Sequence, residues 1–399
     1  MENLFYYNDI LTAEIDLGFK RSLYKKIDWT QRMIAISGAR GVGKTTLMLQ
    51  RQKETIGLGN HSLYASMDNP YFYNQSLFNL ADEFYTMGGR FLLLDEVHKY
   101  AHWSRELKAI YDAFPRLQVI FSASSALDIY RGEADLSRRV FSYTLPGLSF
   151  REFLAFHKKW KFPIYEIDHI LFHHREIANT LTTTQSTNLL QFFKEYLRSG
   201  YYPFSISQRK KEYLLQLSQV INTVLDTDMA YTDGYTPATA LKLKKLLAVL
   251  AESVPFQPNV AELARKLHIS RDSIYHYLKQ LEKAVLVLPL HAQGKGVSLL
   301  QKPEKLYLEN TNLAYALQSM PNVGNIRETF LLNQLVNAKQ KVSYPKKGDF
   351  VVDNHVFEVE GRNKNRKQLT GVDNGYIVSD DILTGAGNKI PLWLFGLLY

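Results

Sequence analysis

Nine consecutive residues, Gly38 to Thr46 (GARGVGKTT), constrain this chain more than any other stretch. They match the phosphate-binding pattern G-x-x-x-x-G-K-[ST] at every specified position. An apolar run, Met33–Ile36, precedes the loop, and a segment with helical periodicity begins at Thr45. In a strand–loop–helix unit the backbone N–H groups and the positive end of the helix point at bound phosphate, and the glycines allow close approach. The sequence therefore predicts a nucleoside triphosphate site.

The side chains of the loop predict ATP and Mg²⁺ as the cofactors. Lys44 is expected to reach the β- and γ-phosphates, and the Thr45 hydroxyl is expected to ligate Mg²⁺. The remaining positions would bind phosphate mainly through the backbone: Gly38, Ala39, Arg40, Gly41, Val42, Gly43 and Thr46.

A fully apolar run, Phe91–Leu94, ends in the two acids Asp95 and Glu96. A buried parallel strand of this composition delivers its last residues to the carboxyl edge of a sheet, where ligands bind. We expect Asp95 to hold Mg²⁺ through its water shell and Glu96 to orient the attacking water. The alternative is a buried strand that ends in acids without a catalytic role.

Two further strands carry candidate residues for phosphoryl transfer. The run Leu117–Phe121 leads to Ser122, which could contact the γ-phosphate or the water, whereas Ser125 is expected to cap the next helix. Arg138 and Arg139 precede the next predicted strand, Phe141–Leu145. Either arginine could be a finger that neutralises transition-state charge, or both could form surface ion pairs.

Several ordered motifs together resemble those of a group of bacterial and archaeal AAA+-type ATPases. They are Phe91–Lys99, Trp103 with Leu107-Lys108, Leu136–Val140 and Leu145–Phe153. The resemblance implies an α/β fold with a parallel sheet in the order 5-1-4-3-2, and it places Arg139 at the arginine-finger position. Arg138 departs from the usual glycine, so the acting arginine, in cis or in trans, stays open. The resemblance also implies a C-terminal arm of unknown function.

The chain divides by prediction into four parts. They are the ATPase core (1–150), a helical lid (151–230), a winged helix (231–309) and a nuclease-like α/β domain (310–399). Within the lid the turn at Gly200 interrupts the helical pattern, and the resemblance implies that Pro203 packs near adenine. A rigid turn between helices is the alternative.

The predicted winged helix consists of helices at Pro237–Glu252, Asn259–Leu267 and Ser270–Lys283, followed by strands at Val285–Leu288 and Leu306–Leu308. In such folds the last helix enters the DNA major groove. The predicted DNA contacts are Arg271, Tyr275, His276 and Lys279. A structural arm or a protein contact is the alternative.

The last part resembles the PD-(D/E)xK nucleases, whose metal-binding core is an Asp followed by Glu-x-Lys across a hairpin. Asp349 and Glu358 would bind Mg²⁺ here, and its water would attack a phosphodiester. Glu360 stands where the lysine is expected, and its charge would repel phosphate. Lys364 comes four residues too late on the strand. A degenerate nuclease fold used as a scaffold is the favoured alternative.

Composition narrows the classes of function only broadly. The chain has no cysteine, which excludes disulfides and thiolate metal sites. No apolar run approaches the ~20 residues of a membrane span, so a cytoplasmic protein without membrane contact is expected. The net charge of +9 weakly favours an anionic partner.

Three functions stay open from the sequence. The first is an ATP-hydrolysing switch whose C-terminal arm engages double-stranded DNA or a protein partner. The second is an ATP-gated nuclease, and the third is a nucleotide-bound adaptor that does not hydrolyse ATP. A homo-oligomer is expected if the arginine finger acts in trans.

Overall fold

The apolar runs of the first 146 residues form a five-stranded sheet in the computed structural model. The strands are β1 (Met33–Gly38), β2 (Ser62–Ser66), β3 (Phe91–Asp95), β4 (Gln118–Ser124) and β5 (Phe141–Thr144). Their order is β2-β3-β4-β1-β5, and every neighbouring pair is parallel. The α/β prediction with a parallel sheet is confirmed for this part of the chain. The carboxyl ends of β1, β3 and β4 therefore lie at one edge, where the phosphate loop begins.

The structure describes residues 1–124, 136, 138–185, 188–207, 209–231, 234–253, 259–293, 303–361, 369 and 371–399. The predicted capping residue Ser125 and the substitute lysine Lys364 lie outside these residues. Two compact units divide the chain: residues 1–146 with 223–236, and residues 147–222 with 237–399.

Helices on the first unit cover the sheet with apolar faces. Leu77–Thr86 buries Leu77, Leu80, Ala81 and Phe84, the spacing that places side chains on one helical face. Ser76 caps this helix by accepting a hydrogen bond from the Asn79 N–H at 3.0 Å. Among the described residues of this unit, the other α-helices are Glu2–Ala13, Ser22–Lys26, Lys44–Arg51 and Trp103–Ala113. A π turn lies at Gln52–Ile56, and 3-10 turns lie at Pro70–Tyr73, Val97–Lys99 and Asp228–Tyr231.

The second unit is mostly helical up to residue 283. Its α-helices are Phe150–Lys158, Ile167–Gln185, Leu189–Ser199, Pro237–Ser253, Val260–Leu267, Arg271–Lys283, Thr311–Leu317 and Val323–Asn337. The helix Lys210–Asp226 begins in this unit and crosses the boundary at residue 222. A hairpin of β6 (Val287–Leu290) and β7 (Lys305–Leu308) is antiparallel.

A second five-stranded sheet lies in the C-terminal part of this unit. It comprises β8 (Val342–Ser343), β9 (Phe350–Val352), β10 (His355–Glu360), β11 (Gly375–Ser379) and β12 (Lys389–Pro391), in the order β12-β11-β10-β9-β8. The pairs β8–β9 and β9–β10 are antiparallel, while β10–β11 and β11–β12 are parallel. The apolar C-terminal segment forms a buried 3-10 helix at Leu392–Leu397.

The division of the chain into four domains stays a prediction. Residues 223–236 span the predicted junction of lid and winged helix, yet they pack with the first unit. Within the described residues, no helix combines the length and apolar character needed to cross a membrane.

Candidate nucleotide-binding site

The loop after β1 has backbone angles that favour glycine. Gly41 and Gly43 have φ values of 84° and 95°, in the left-handed region that side chains avoid. A Cβ on Gly38 would lie 2.4 Å from the Leu145 carbonyl oxygen. The three glycines of the motif are thus needed for the path of the loop before any ligand is considered.

Lys44 begins the helix after the loop and folds its side chain back over it. Its Nζ donates hydrogen bonds to the carbonyl oxygens of Gly38 at 2.8 Å and Ala39 at 3.0 Å. Burial lowers the pKa of Lys44, and the nearby carboxylates of Asp95 and Glu96 oppose this effect. A partly desolvated ammonium group at the head of a glycine loop suits an anionic ligand.

Asp95 ends β3 and is held by four donors. The Thr45 hydroxyl donates to its Oδ2 at 2.5 Å, and the Tyr64 hydroxyl donates to the same oxygen at 2.8 Å. Oδ1 accepts from the Ser122 hydroxyl and from the Glu96 N–H at 3.1 Å. The Thr45 hydroxyl and this carboxylate are hard oxygen donors side by side at the end of the phosphate loop, so the residues present fit Mg²⁺.

Tyr64, on the neighbouring strand β2, is a member of the site that the sequence did not reveal. It is 6% exposed, and burial together with the Asp95 charge raises its pKa, so the hydroxyl remains a donor. No motif marks this tyrosine. Only the parallel pairing of β2 with β3 places its hydroxyl on Asp95.

Glu96 turns away from β3 in the left-handed conformation, with φ 53°. This backbone geometry raises the conformational free energy of any residue other than glycine, and residues with such geometry are concentrated at functional sites. Its N–H is fixed by Asp95 and by the Ser122 hydroxyl at 3.0 Å. Ser122, predicted as a sensor of phosphate or water, thus bridges the two acids.

The Glu96 carboxylate is engaged by two cations. Arg40 Nη1 lies 3.4 Å from Oε1, and the Lys99 ammonium forms an ion pair with Oε2. Lys99 also pairs with Asp68 at 2.7 Å. Arg40 is the third residue of the phosphate loop, so it links the loop directly to the predicted catalytic acid.

Arg40 has a second carboxylate partner, which comes from far along the chain. Its Nη1 lies 3.1 Å from Oδ1 of Asp228, whose side chain is only 1% exposed. Burial raises the pKa of Asp228, and Arg40 opposes that shift. Asp228 belongs to residues 223–236, which pack with this unit. The sequence analysis missed it because no motif surrounds it.

His98 is neutral in this environment. Burial lowers its pKa to about 3, and the charges of Lys44, Lys99 and Arg40 act in the same direction. Its Nδ1 accepts from the Ser124 N–H at 3.3 Å, and its ring lies edge-on to Tyr231 with centroids 6.0 Å apart. The residue serves packing rather than charge.

Arg139 lies at the amino ends of the parallel strands, whereas the phosphate loop lies at their carboxyl ends. It pairs with Asp112 at 3.0 Å, near the end of the helix that returns the chain to the start of β4. It precedes β5, whose first residue, Phe141, is in register with Ile34 near the start of β1. Because the strands are parallel, Arg139 is remote from Lys44 of its own chain. Arg138 beside it is exposed.

The remaining predicted site residues belong to the second unit. Pro203 begins the 3-10 helix Pro203–Ser207. Ser270 caps Arg271–Lys283, and its hydroxyl accepts from the Ser273 N–H at 3.1 Å. On that helix Arg271 and His276 are exposed, while Tyr275 and Lys279 are half-buried. Lys279 pairs with Glu282 at 2.9 Å.

A lysine that the sequence pattern did not locate reaches the nuclease-like segment from outside it. Lys305, on β7, lies 3.3 Å from both Asp349 and Glu328. Glu358 and Glu360 are buried on β10. In the described part of the chain, no group of three or more His, Asp or Glu residues is arranged to hold a metal ion.

Two family models match parts of the chain. Residues 30–154 match the model described as an AAA domain, and residues 190–323 match one described as a domain of unknown function. The first match supports an AAA+-type P-loop ATPase for this part. The description of the second model names no activity, so the winged-helix and nuclease-like assignments stay predictions.

An uncharacterized protein of Methanocaldococcus jannaschii is 26% identical over 409 residues, covering 94% of this chain and 85% of the relative. Among solved structures, AMPPCP-bound DnaA from Aquifex aeolicus is 15% identical and covers 65% of this chain and 84% of its own, with a TM-score of 0.27. The Aeropyrum pernix Orc1 protein in complex with DNA is 12% identical and covers 78% of this chain and 91% of its own, with a TM-score of 0.32. Similarity at these scores says nothing about function.

Proposed function

We propose that this protein is an ATP-hydrolysing molecular switch whose C-terminal arm engages DNA or a protein partner. The observation that carries the proposal is the hydrogen bond between the Thr45 hydroxyl and the Asp95 carboxylate, at the mouth of a loop whose glycines have positive φ. A hydroxyl and an acid at these two positions are the groups that hold Mg²⁺ in P-loop enzymes.

In this proposal each residue of the site has a separate task. Thr45 and Asp95 hold Mg²⁺, which when bound offsets negative charge on the phosphates. Lys44 exchanges its two carbonyl partners, on Gly38 and Ala39, for phosphate oxygens. Tyr64 and Ser122 keep the Asp95 carboxylate in one orientation.

Glu96 is the proposed general base that orients and deprotonates the attacking water. The Ser122 hydroxyl and the Asp95 carboxylate fix its backbone N–H, so the side chain projects from a rigid turn. A residue anchored in this way can hold a water with little entropic cost at the moment of reaction.

The proposal predicts that Glu96→Gln abolishes turnover and leaves nucleotide binding intact. The amide keeps the size of the side chain but cannot take a proton, so we expect the rate to fall about 100-fold or more. Steady-state ATPase assays and binding of a fluorescent ATP analogue measure the two effects. Glu83→Gln, an exposed change on Leu77–Thr86, is the matched control.

Hydrolysis at the wild-type rate by the Glu96→Gln protein would contradict the catalytic assignment. If Lys44→Ala also leaves the measured rate unchanged, that rate does not come from this site. The result would then favour the adaptor, which binds nucleotide without hydrolysing it. The nuclease alternative requires Mg²⁺-dependent DNA cleavage that Asp349→Ala abolishes.

A further inference from the structure

The 3-10 turn Asp228–Tyr231 contacts the candidate site at two points. Asp228 pairs with Arg40 of the phosphate loop, and Tyr231 packs edge-on against His98, two residues after Glu96. The turn therefore contacts both the element that would bind phosphate and the element that carries the proposed base.

Because Asp228 is buried, the loss of its ion pair with Arg40 would cost much free energy. A carboxylate that is 1% exposed cannot recover its hydration if the guanidinium leaves. Besides Arg40, Glu96 acts on it by repulsion, and Lys99 and Lys44 attract it. As long as the turn stays packed, Arg40 is held beside Asp228.

Arg40 in turn restrains Glu96. It occupies Oε1 of the glutamate while Lys99 occupies Oε2, so cations engage both oxygens that would accept a proton from water. An arginine prefers phosphate oxygens when they are offered, because a bidentate, doubly charged acceptor binds it more strongly. A bound triphosphate and Asp228 therefore compete for the same guanidinium.

We propose that Asp228 is a positioning residue of this site, which holds Arg40 against Glu96 and restrains the glutamate until the γ-phosphate draws Arg40 away. The inference rests on the proposed ATP hydrolysis and deepens it. ADP lacks the γ-phosphate, so it competes weakly and leaves the restraint in place. Residues 228–231 thus respond to the difference between ATP and ADP.

The test is Asp228→Asn in the full-length protein, with Asp226→Asn, an exposed change on the preceding helix, as control. The amide keeps the shape of the side chain and removes its charge. We expect affinity for a non-hydrolysable ATP analogue to rise at least about fivefold, affinity for ADP to stay unchanged, and kcat to rise. Equal changes for ATP and ADP, or no change, would overturn the inference.

Two further variants separate positioning from general support of the fold. Asp228→Glu retains the charge and should keep the wild-type ratio of ATP to ADP affinity. In an Arg40→Gln background the Asp228→Asn change should lose its effect, because the residue through which it acts is gone. An unaltered effect in that background would show that Asp228 does not act through Arg40.

These outcomes also separate the two proposals. If wild-type protein hydrolyses ATP and Glu96→Gln does not, while Asp228→Asn is silent, only the positioning role fails. If the wild-type protein does not bind the ATP analogue, both proposals fail.

Discussion

Asp95 receives the Thr45 and Tyr64 hydroxyls on one oxygen and the Ser122 hydroxyl with the Glu96 N–H on the other. A carboxylate held on both sides has one orientation. This order is set before nucleotide arrives, which is the main route by which an enzyme site lowers the cost of reaching its transition state.

Tyr64→Phe tests whether the Tyr64 hydroxyl helps to fix the orientation of the Asp95 carboxylate. The change removes a buried hydrogen bond to a charged group, so we expect the free energy of unfolding to fall by about 1.5–3 kcal/mol. It should also weaken Mg²⁺-dependent nucleotide binding, because Asp95 gains freedom. Urea denaturation and titration of Mg²⁺ at fixed nucleotide give the two values.

The control for this variant is Tyr73→Phe, since that side chain is 78% exposed. Its free energy of unfolding should match the wild type. If both variants are equally stable, the Tyr64 hydroxyl contributes nothing to the folded state.

At the scale of elements, the sequence predicted the strands of the first sheet well. Buried parallel strands form continuous apolar runs, and the run before the acids corresponds to β3, observed at Phe91–Asp95. The Ser270 cap also follows from local sequence. The sequence analysis did not predict β11 (Gly375–Ser379) or β12 (Lys389–Pro391). The apolar run of β11 is only Tyr376–Val378, and β12 has three residues, so neither gives a clear strand pattern.

The contacts that the sequence could not supply are those between distant residues. Lys305 reaches Asp349 from another sheet, and Asp228 reaches Arg40 from beyond the predicted core. Hydrophobic periodicity and motif spacing describe neighbours along the chain. They carry no information on which polar side chains meet across 44 or 188 positions.

The helix Arg271–Lys283 gives a prediction at the same scale. If it contacts DNA, Arg271→Ala should weaken binding to a double-stranded oligonucleotide several-fold and lower the salt dependence by about one released counterion. Fluorescence anisotropy at several salt concentrations measures both. Lys266→Ala, on the preceding helix and paired with Glu262 at 2.9 Å, is the control.

Equal binding by all three proteins would exclude this helix as the DNA contact. Nucleotide hydrolysis that is insensitive to DNA would then favour a protein partner for the C-terminal arm.

At the scale of the whole molecule, a role for Arg139 as an arginine finger would require a second copy of the chain. The place of Arg139 at the amino ends of the strands keeps it from its own Lys44, so an arginine finger must act in trans. Arg139→Ala should then lower the ATPase rate by about 10³-fold. Its exposed ion pair with Asp112 contributes little to stability, so the variant should remain folded.

Mixing two inactive variants gives the decisive assay. Arg139→Ala retains an intact loop, and Lys44→Ala retains an intact finger. An equimolar mixture should recover about a quarter of the wild-type rate if subunits assemble at random. Arg138→Ala should behave as wild type, and an inactive mixture would rule out the trans finger.

The return of residues 223–236 to the first unit also has a consequence during synthesis. Asp228 follows Arg40 by 188 positions, so a ribosome adding about 5–20 residues per second makes the carboxylate roughly 10–40 s after the arginine. Once β5 has been made, the sheet and the loop have all their strands, but Arg40 still lacks its buried counterion. The nucleotide site of a nascent chain is therefore completed late, after the helices of residues 150–226 have been translated.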